Sequence, residues 1–485
     1  MARSRRKGEA PPPWAADPQY QAFESDIIDH PDDDLPRLAL ADWLEEHGDA
    51  STAARAEFIR LQIELASLPE DNPRRSVLVE REEELLVEYQ KTWLGPLSGI
   101  ITDAIWTRGF PTRLRLGVRQ FLDNADELFR QAPILHLQLL RVSQTRIPME
   151  ELAACPHFGR LRGLSLPSSG IGDAKLSALL RGANLENLEL LELPQAHVGE
   201  ATLAALARAS LPRLKVLDLS GNWIPGAGFE ALFHRDVALP LRELRLSGCM
   251  LNDTAVEALF DWPSLSGVEQ LNLSHNRLGV AGGVRLARCP YLTHLRHLDL
   301  TCSSIGAGGI RALAEAQALP HLGHLDLTLA EIRPSGFLAL LQCAFLPNLD
   351  ALCLTGNLLG DASLQRLAEW PGLARIRRLE LRSNQITAAG VRHLCDSPYL
   401  GALTKLNLAD NPLGEAGAAC LAACPRLRSL RSLDLSFTEL TDSSLDHLLD
   451  SPHRGQLTEF SLIGNMITVS GIRKARAQFP RAFGS

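Results

Sequence analysis

No run of apolar residues in this chain is long enough to span a membrane, so nothing in it reads as a transmembrane helix. The basic start, Met1 to Lys7, leads into Pro11-Pro12-Pro13 and not into an apolar segment. It reads as a solvated tail, not a secretory signal. Positive charge is not in excess. The 49 Lys and Arg face 57 Asp and Glu, which argues against a general nucleic-acid binder. The nine cysteines include no CxxC pair, so no zinc-finger spacing is present, and their scatter suits a reducing compartment better than a disulfide framework. Cys155, Cys289 and Cys424 each precede a Pro, a shared phase that predicts small buried side chains without a redox role.

Signatures of catalysis are also missing. The fourteen histidines form no HExxH motif. Gly306-Ala307-Gly308-Gly309 looks like a phosphate loop but lacks the Lys-Ser/Thr that would hold phosphate and magnesium, so it reads as a turn. The acidic group Asp29, Asp32, Asp33 and Asp34 beside His30 is explained by helix capping more simply than by a bound cation. No nucleophile elbow or acid–base pair is visible. The expectation is a protein with no enzymatic activity, no catalytic residues, no metal and no cofactor.

What the chain has instead is repetition. An apolar frame recurs thirteen times: apolar, two residues, Leu, one residue, Leu, two residues, a small or Asn position, one residue, apolar. From Leu214 its first position returns at 241, 268, 295, 322, 349, 376, 403, 430 and 457, a constant step of 27. Earlier frames are read from Leu137, Leu161 and Leu188. A fixed period of this length predicts stacked supersecondary units. Leu-x-Leu puts two side chains on one face of a short strand. A helical stretch follows, such as Gly283 to Arg288, entered through glycines and ended by a Pro that recurs at one phase from Pro212 to Pro452. Strands stack about 4.8 Å apart, whereas helices need roughly 8–10 Å. That mismatch predicts an α/β solenoid curved as a horseshoe, with a parallel sheet on the concave face and helices on the convex face.

These frames resemble leucine-rich repeats of the ribonuclease-inhibitor type. Asn222-x-Ile224, Asn276-x-Leu278-Gly279 and Asn384-x-Ile386 carry the likeness. Asn also holds its place at 357, 411 and 465, where its amide can bond the turn and its neighbour. Thr145, Ser169, Cys249, Ser303 and Thr438 replace it, and Ala196 and Ala330 leave the place without a polar group.

Residues 17–95 break the repeat and carry the acidity, twenty acidic against seven basic residues. They predict about four helices: one capped by Asp17 with Phe23 and Ile27; one after Asp32–Asp34 burying Leu38, Ala41 and Leu44; one with Phe58, Leu61 and Leu65; and one from Pro73 with Leu78, Leu85, Leu86 and Trp93. The motifs Leu38-Ala-Leu-Ala-Asp-Trp-Leu-Glu-Glu-His-Gly48 and Ala56-Glu-Phe-Ile-Arg-Leu-Gln62 resemble the repeat-companion domain that precedes repeat arrays in many bacterial proteins. That likeness implies an intracellular, cytoplasmic bacterial protein and assigns no activity. The organisation expected is a disordered basic, Pro-rich tail (1–16), a helical companion module (17–95) capping the stack, a junction with an irregular strand and a helix (96–130), and a solenoid of about 13 repeats (131–485).

The residue between the two strand leucines should leave the core for the concave face. That column includes Arg141, Asp218, Arg245, Asp299, Asp326, Glu380 and Asp434. A second column, near the Asn place, brings Trp223, Met250 and Phe437. Exposed Trp and Met are typical partner anchors, although half-burial under the turn explains them equally well. His297 and His324 share a strand position in adjacent repeats, but no further metal ligand is evident. The expected function is a non-catalytic scaffold holding a protein partner on the concave face through Asp218, Trp223, Arg245, Met250, Asp299, Asp326, Glu380, Asp434 and Phe437. The alternative, implied by the resemblance, is a regulator of an enzyme, a GTPase activator or inhibitor, acting through the same surface. Neither reading calls for nucleic acid, membrane or a small-molecule substrate.

Overall fold

The computed structural model describes residues 13–479 apart from 70, 71, 73, 169, 225, 235, 236, 317, 318 and 453–456. The basic start, Pro73 and Ser169 therefore lie outside the described residues. The chain divides into two compact units, one ending at Val216 and one beginning at Leu217. No described helix is long and apolar enough to cross a membrane.

The first unit begins with four helices, α1 (Pro18–Asp29), α2 (Leu35–Glu46), α3 (Ala50–Ser67) and α4 (Arg74–Leu94). Asp17 caps α1 through Gln19 N–H, as expected, while Asp49 caps α3 one turn before Thr52. Trp14 packs on Tyr20 with ring centres 4.8 Å apart, so the packed module includes residues before the expected boundary at residue 17. In α2 the core residues are Leu40, Ala41, Trp43 and Leu44, and Leu38 is only half-buried. The helix packs a wider apolar stripe than the i, i+3 reading allowed.

The junction is a β-hairpin followed by a helix: β1 (Asp103–Thr107), β2 (Phe110–Gly117) and α5 (Val118–Gln131). Gln62 on α3 closes the hairpin's end. It donates to Trp106 C=O at 3.2 Å and accepts from Gly109 N–H at 2.6 Å. Gly109 is required there. It has φ +85°, and a Cβ would lie 2.4 Å from Ile59. The rest of the unit is β3 (His136–Leu140), α6 (Met149–Ala153), β4 (Gly163–Ser165), α7 (Asp173–Gly182), β5 (Leu190–Glu192), α8 (Glu200–Arg208) and the start of β6 (Val216–Asp218). Strands β2 to β5 are parallel neighbours in order. The helical module caps this end. Asp32 forms a two-pronged ion pair with Arg162 at 2.7 and 2.8 Å, and Phe110 enters the core of the helices.

The register corrects one frame. Leu137 pairs with Leu164, not with Leu161, so the first frame opens at Ile134 and its step to Leu161 is 27. Leu137 and Leu139 are buried, Val142 takes the Asn place instead of Thr145, and Gln138 replaces Arg141 in the outward column.

The second unit continues with α9 (Gly226–Phe233), β7 (Glu243–Arg245), α10 (Asp253–Phe260), β8 (Gln270–Asn272), α11 (Gly279–Arg288), β9 (His297–Asp299), α12 (Gly306–Ala316), β10 (His324–Asp326) and α13 (Arg333–Leu340). Then come β11 (Ala351–Cys353), α14 (Gly360–Glu369), β12 (Arg378–Glu380), α15 (Ala388–Asp396), β13 (Lys405–Asn407), α16 (Gly414–Ala422), β14 (Ser432–Asp434), α17 (Asp442–Leu449), β15 (Glu459–Ser461) and α18 (Val469–Gln478). Strands β7 to β15 pair in parallel, each residue facing the one 27 places on, as His324 faces Ala351 and Cys353 faces Glu380. Leu298 and Leu300 are fully buried, as the frame demands. Gly283 and Gly309 serve helix packing and not a turn. A Cβ on Gly283 would meet Gly309 Cα at 2.6 Å. The architecture of these units is an α/β solenoid of strand–turn–helix repeats with a helical N-terminal cap.

The Asn places form a ladder. Asn384 donates to Leu354, Leu381 and Arg382 C=O and accepts from Asn357 and Leu359 N–H. Asn411 makes the same five bonds one repeat on. Each Asn thus ties its own turn to the preceding one. The turn at Ala330 is held from its neighbour, because Asn357 accepts Ile332 N–H.

Candidate functional site

Alternation in each three-residue strand buries the central residue, Leu in all but β15, where it is Phe460, and turns the flanking residues toward the open sheet face. The column between the leucines is less exposed than expected. Asp218 is buried, at 8% exposure, which corrects its reading as an open contact residue. Its carboxylate accepts Ser220 N–H at 2.8 Å and lies 3.5 Å from the Arg245 guanidinium. Asp299, Asp326 and Asp434 are half-buried and accept the backbone N–H two residues on, from Thr301, Thr328 and Ser436. Asn272 and Asn407 make the same bond to Ser274 and Ala409. The recurring Asp is therefore a turn-closing acceptor that Asn can replace, not simply a solubilising charge. Arg245 and Glu380 are among the members of the column that this does not explain. Arg245 reaches Glu243 at 2.5 Å, and Glu380 lies 3.6 Å from Lys405.

The turn that leaves each strand holds the exposed apolar side chains. Trp223 is 78% exposed, Met250 56% and Phe437 50%, and Leu329, Leu358, Ile463 and Met466 are exposed as well. Trp223 stands largely clear of its turn, whereas Met250 and Phe437 keep close to half of their surface covered. Backbone geometry turns several of these side chains outward. Met250, Leu329, Leu358 and Phe437 have φ between 52° and 56°, in the left-handed region, which directs their side chains away from the core. That region costs a non-glycine residue about 1–2 kcal/mol, and exposure returns no burial energy.

Strand register gathers one group that the residue-by-residue reading missed. His324, Asp326 and Cys353 place ligand atoms within 4.8 Å of one another. His297 lies beside His324, ring centres 5.7 Å apart. Burial pushes the Cys353 thiol up to about 12, and burial with the neighbouring His297 lowers His324. The signal was present in the numbers, because 326 and 353 differ by one repeat. Cys424 is buried as expected, but Cys155 and Cys289 are only half-buried, and all nine cysteines are free.

The first unit has a different feature, a cavity of about 640 Å³ lined by Trp14, Tyr20, Glu24, Arg55, Trp93 and Arg160 among others. Arg55 is buried against aromatic faces, its Cζ 4.6 Å from the Trp106 ring centre and 4.9 Å from that of Trp93. Burial raises the Glu24 carboxyl to about 7 and lowers Arg55 to about 10.

A family profile described as Leucine Rich repeat matches residues 211–233, 268–287, 291–314, 376–395, 403–422 and 426–448. No curated protein matches the chain. Among solved structures it is similar to a chain of the yeast Rad7 and Elc1 complex, with 15% identity and TM-score 0.44 over 89% of this chain and 92% of that one. An internalin of Listeria monocytogenes gives 20% identity and TM-score 0.44 over 76% and 94%. A leucine-rich-repeat protein of Leptospira interrogans gives 19% and 0.38 over 72% and 89%. The profile matches fall on strand–turn–helix units described above, and these six segments are leucine-rich repeats.

Proposed function

We propose that this chain is a non-catalytic scaffold that binds a protein partner along the open sheet face and the turn rim beside it. Trp223, Met250 and Phe437 are the apolar anchors, and Arg245, Asp299, Asp326, Glu380 and Asp434 set polar specificity around them. Asp218 supports Arg245 from beneath. The observation that carries this reading is the set of bulky apolar side chains exposed at the turns, Trp223 most of all, with Met250 and Phe437 held there by left-handed backbone. Half-buried polar side chains beside exposed aromatic and Met anchors match the anatomy of a specific protein interface. The nine free thiols and the likeness of the N-terminal module favour the cytoplasm of a bacterium.

Capture from native lysate on wild-type protein and on Trp223→Ala in parallel supplies the partner, and kinetics on the purified pair test the site. Trp223→Ala should weaken binding by about 2 kcal/mol, roughly 30-fold, through faster dissociation. Asp299→Asn with Asp434→Asn keeps both turns closed while removing charge, so it should slow association and flatten its salt dependence. Wild-type kinetics in both variants would overturn the site.

A further inference from the structure

We propose that His324, Asp326 and Cys353 form a metal site on the open sheet face for a zinc-class divalent cation. The inference rests on donor geometry and not on the partner reading. His324 and Asp326 flank Leu325 on β10, so both leave the same face of one strand. Parallel register sets Cys353 on β11 directly beside Asp326 and puts the small Ala351 beside His324. On the other side His297 stands next to His324. Among the described residues this is the grouping of three or more His, Cys, Asp or Glu side chains whose ligand atoms converge, all within 4.8 Å. Zinc bonds of about 2.0–2.3 Å place tetrahedral ligand atoms roughly 3.2–3.8 Å apart. Rotation of the side chains closes that difference without moving the backbone, and the buried leucines 298, 325 and 352 hold the three strands in place.

Two further facts favour a ligand role. Asp326 receives Thr328 N–H on Oδ1 at 2.8 Å, which orients the carboxylate and leaves Oδ2 free of that bond. Cys353 occupies a column where Asp and Asn close the turn, yet a thiol is a poor acceptor for that purpose. A mixed nitrogen, oxygen and sulfur set selects zinc-class ions over magnesium or calcium, which prefer oxygen alone.

Full-length protein freed of metal by chelation and kept reduced without thiols should be titrated with Co²⁺, then with Zn²⁺. One equivalent of Co²⁺ should produce a thiolate-to-cobalt charge-transfer band, and Zn²⁺ should displace it. Cys353→Ser should abolish the band. His324→Ala and Asp326→Asn should each weaken binding at least tenfold. Asp326→Asn retains the turn-closing oxygen, so it keeps the proposal testable if another variant fails to fold. No band in the wild type overturns the proposal. A band that survives Cys353→Ser moves binding to other thiols and overturns it too. A band lost in Cys353→Ser but unaltered in both other variants marks an isolated reactive thiol and likewise overturns it.

Discussion

Between residues 34 and 136, seven buried side-chain polar atoms lack a hydrogen-bond partner among the described residues: Asp34 Oδ1, Arg37 Nε, Trp43 Nε1, Ser51 Oγ, Arg55 Nη1, Trp106 Nε1 and His136 Nδ1. Beyond Leu217 there are two, Trp262 Nε1 and Ser303 Oγ. The contrast follows from how each region is built. A repeat solves its polar problem once and copies the answer every 27 residues, so Asn276, Asn357, Asn384 and Asn411 share one set of bonds. The helical module is built once. It buries Arg55 against Trp93 and Trp106, and Arg37 beside Phe110 with two of its three nitrogens bonded to Asp33 and Pro31 C=O, so aromatic faces stand in for part of the missing hydrogen bonding. Periodicity therefore brings polar satisfaction with it, while a singular fold leaves charge to be stabilised by quadrupoles and cavities.

The largest expected effect tests the periodic core. Leu300→Glu puts an unpaired carboxylate in a fully buried strand position and should cost about 5 kcal/mol or more, read as lost cooperative unfolding in urea. Wild-type stability would mean that the leucine column does not hold the stack. Next comes the ladder itself. Asn384→Ala removes five hydrogen bonds, takes the acceptor from Asn357 and Leu359 N–H, and should cost about 3 kcal/mol. Ser303→Ala removes a hydroxyl that already lacks a partner and should stay within about 0.5 kcal/mol. Equal losses at the two positions would break the contrast between bonded and unbonded members of the same column.

These differences also mark what can be read without coordinates. From Leu161 onward the leucine spacing admits one frame, and the strands fall where it says. Near Leu137 the run Leu137-Gln138-Leu139-Leu140 fits two frames three residues apart. Only the pairing of Leu137 with Leu164 chooses between them. The Asp column was visible, but an aspartate that closes a turn and one that meets a partner have the same letter. Asn272 and Asn407 in that column were the available hint, because Asn keeps the acceptor without the charge. The exposure of Met250 and Phe437 depends on the sign of φ in a turn, which no periodicity encodes.

A smaller effect probes the helical module through pH. Burial raises Glu24 to about 7, so the folded chain holds a proton that the unfolded chain releases in the ordinary carboxylate range. Between that range and about 7 the native state binds more protons, so this group's contribution falls as pH rises and is level above 7. His136 acts oppositely. Burial lowers it to about 4, and stability is lost as pH falls from the ordinary histidine range toward that value. Glu24→Gln isolates the first slope. The difference between variant and wild type should grow with pH up to about 7 in the variant's favour. Arg55→Met should move the window upward, because the guanidinium's charge is one of the influences holding Glu24 down. A pH-independent difference would place Glu24 in water and weaken the account of the module as a region of uncompensated burial.

The smallest effect separates the two meanings of the acidic column. Asp299 accepts Thr301 N–H at 2.9 Å and also receives the Asn272 amide at 3.0 Å on its other oxygen. Asp299→Asn preserves the acceptor for the turn and gives up only the half-buried bond from the Asn272 amide, so it should cost about 0.5 kcal/mol, less than loss of the turn acceptor. Asp299→Ala leaves that N–H without its acceptor and should cost about 1 kcal/mol. The ranking is more informative than either value. If Asn and Ala cost the same, the charge and not the acceptor is what the fold uses, and the column's acidity is structural. If Asn costs less, the fold needs only the oxygen. The negative charge that Asp299, Asp326 and Asp434 carry beyond it is then surplus to folding and free to act on whatever meets the sheet.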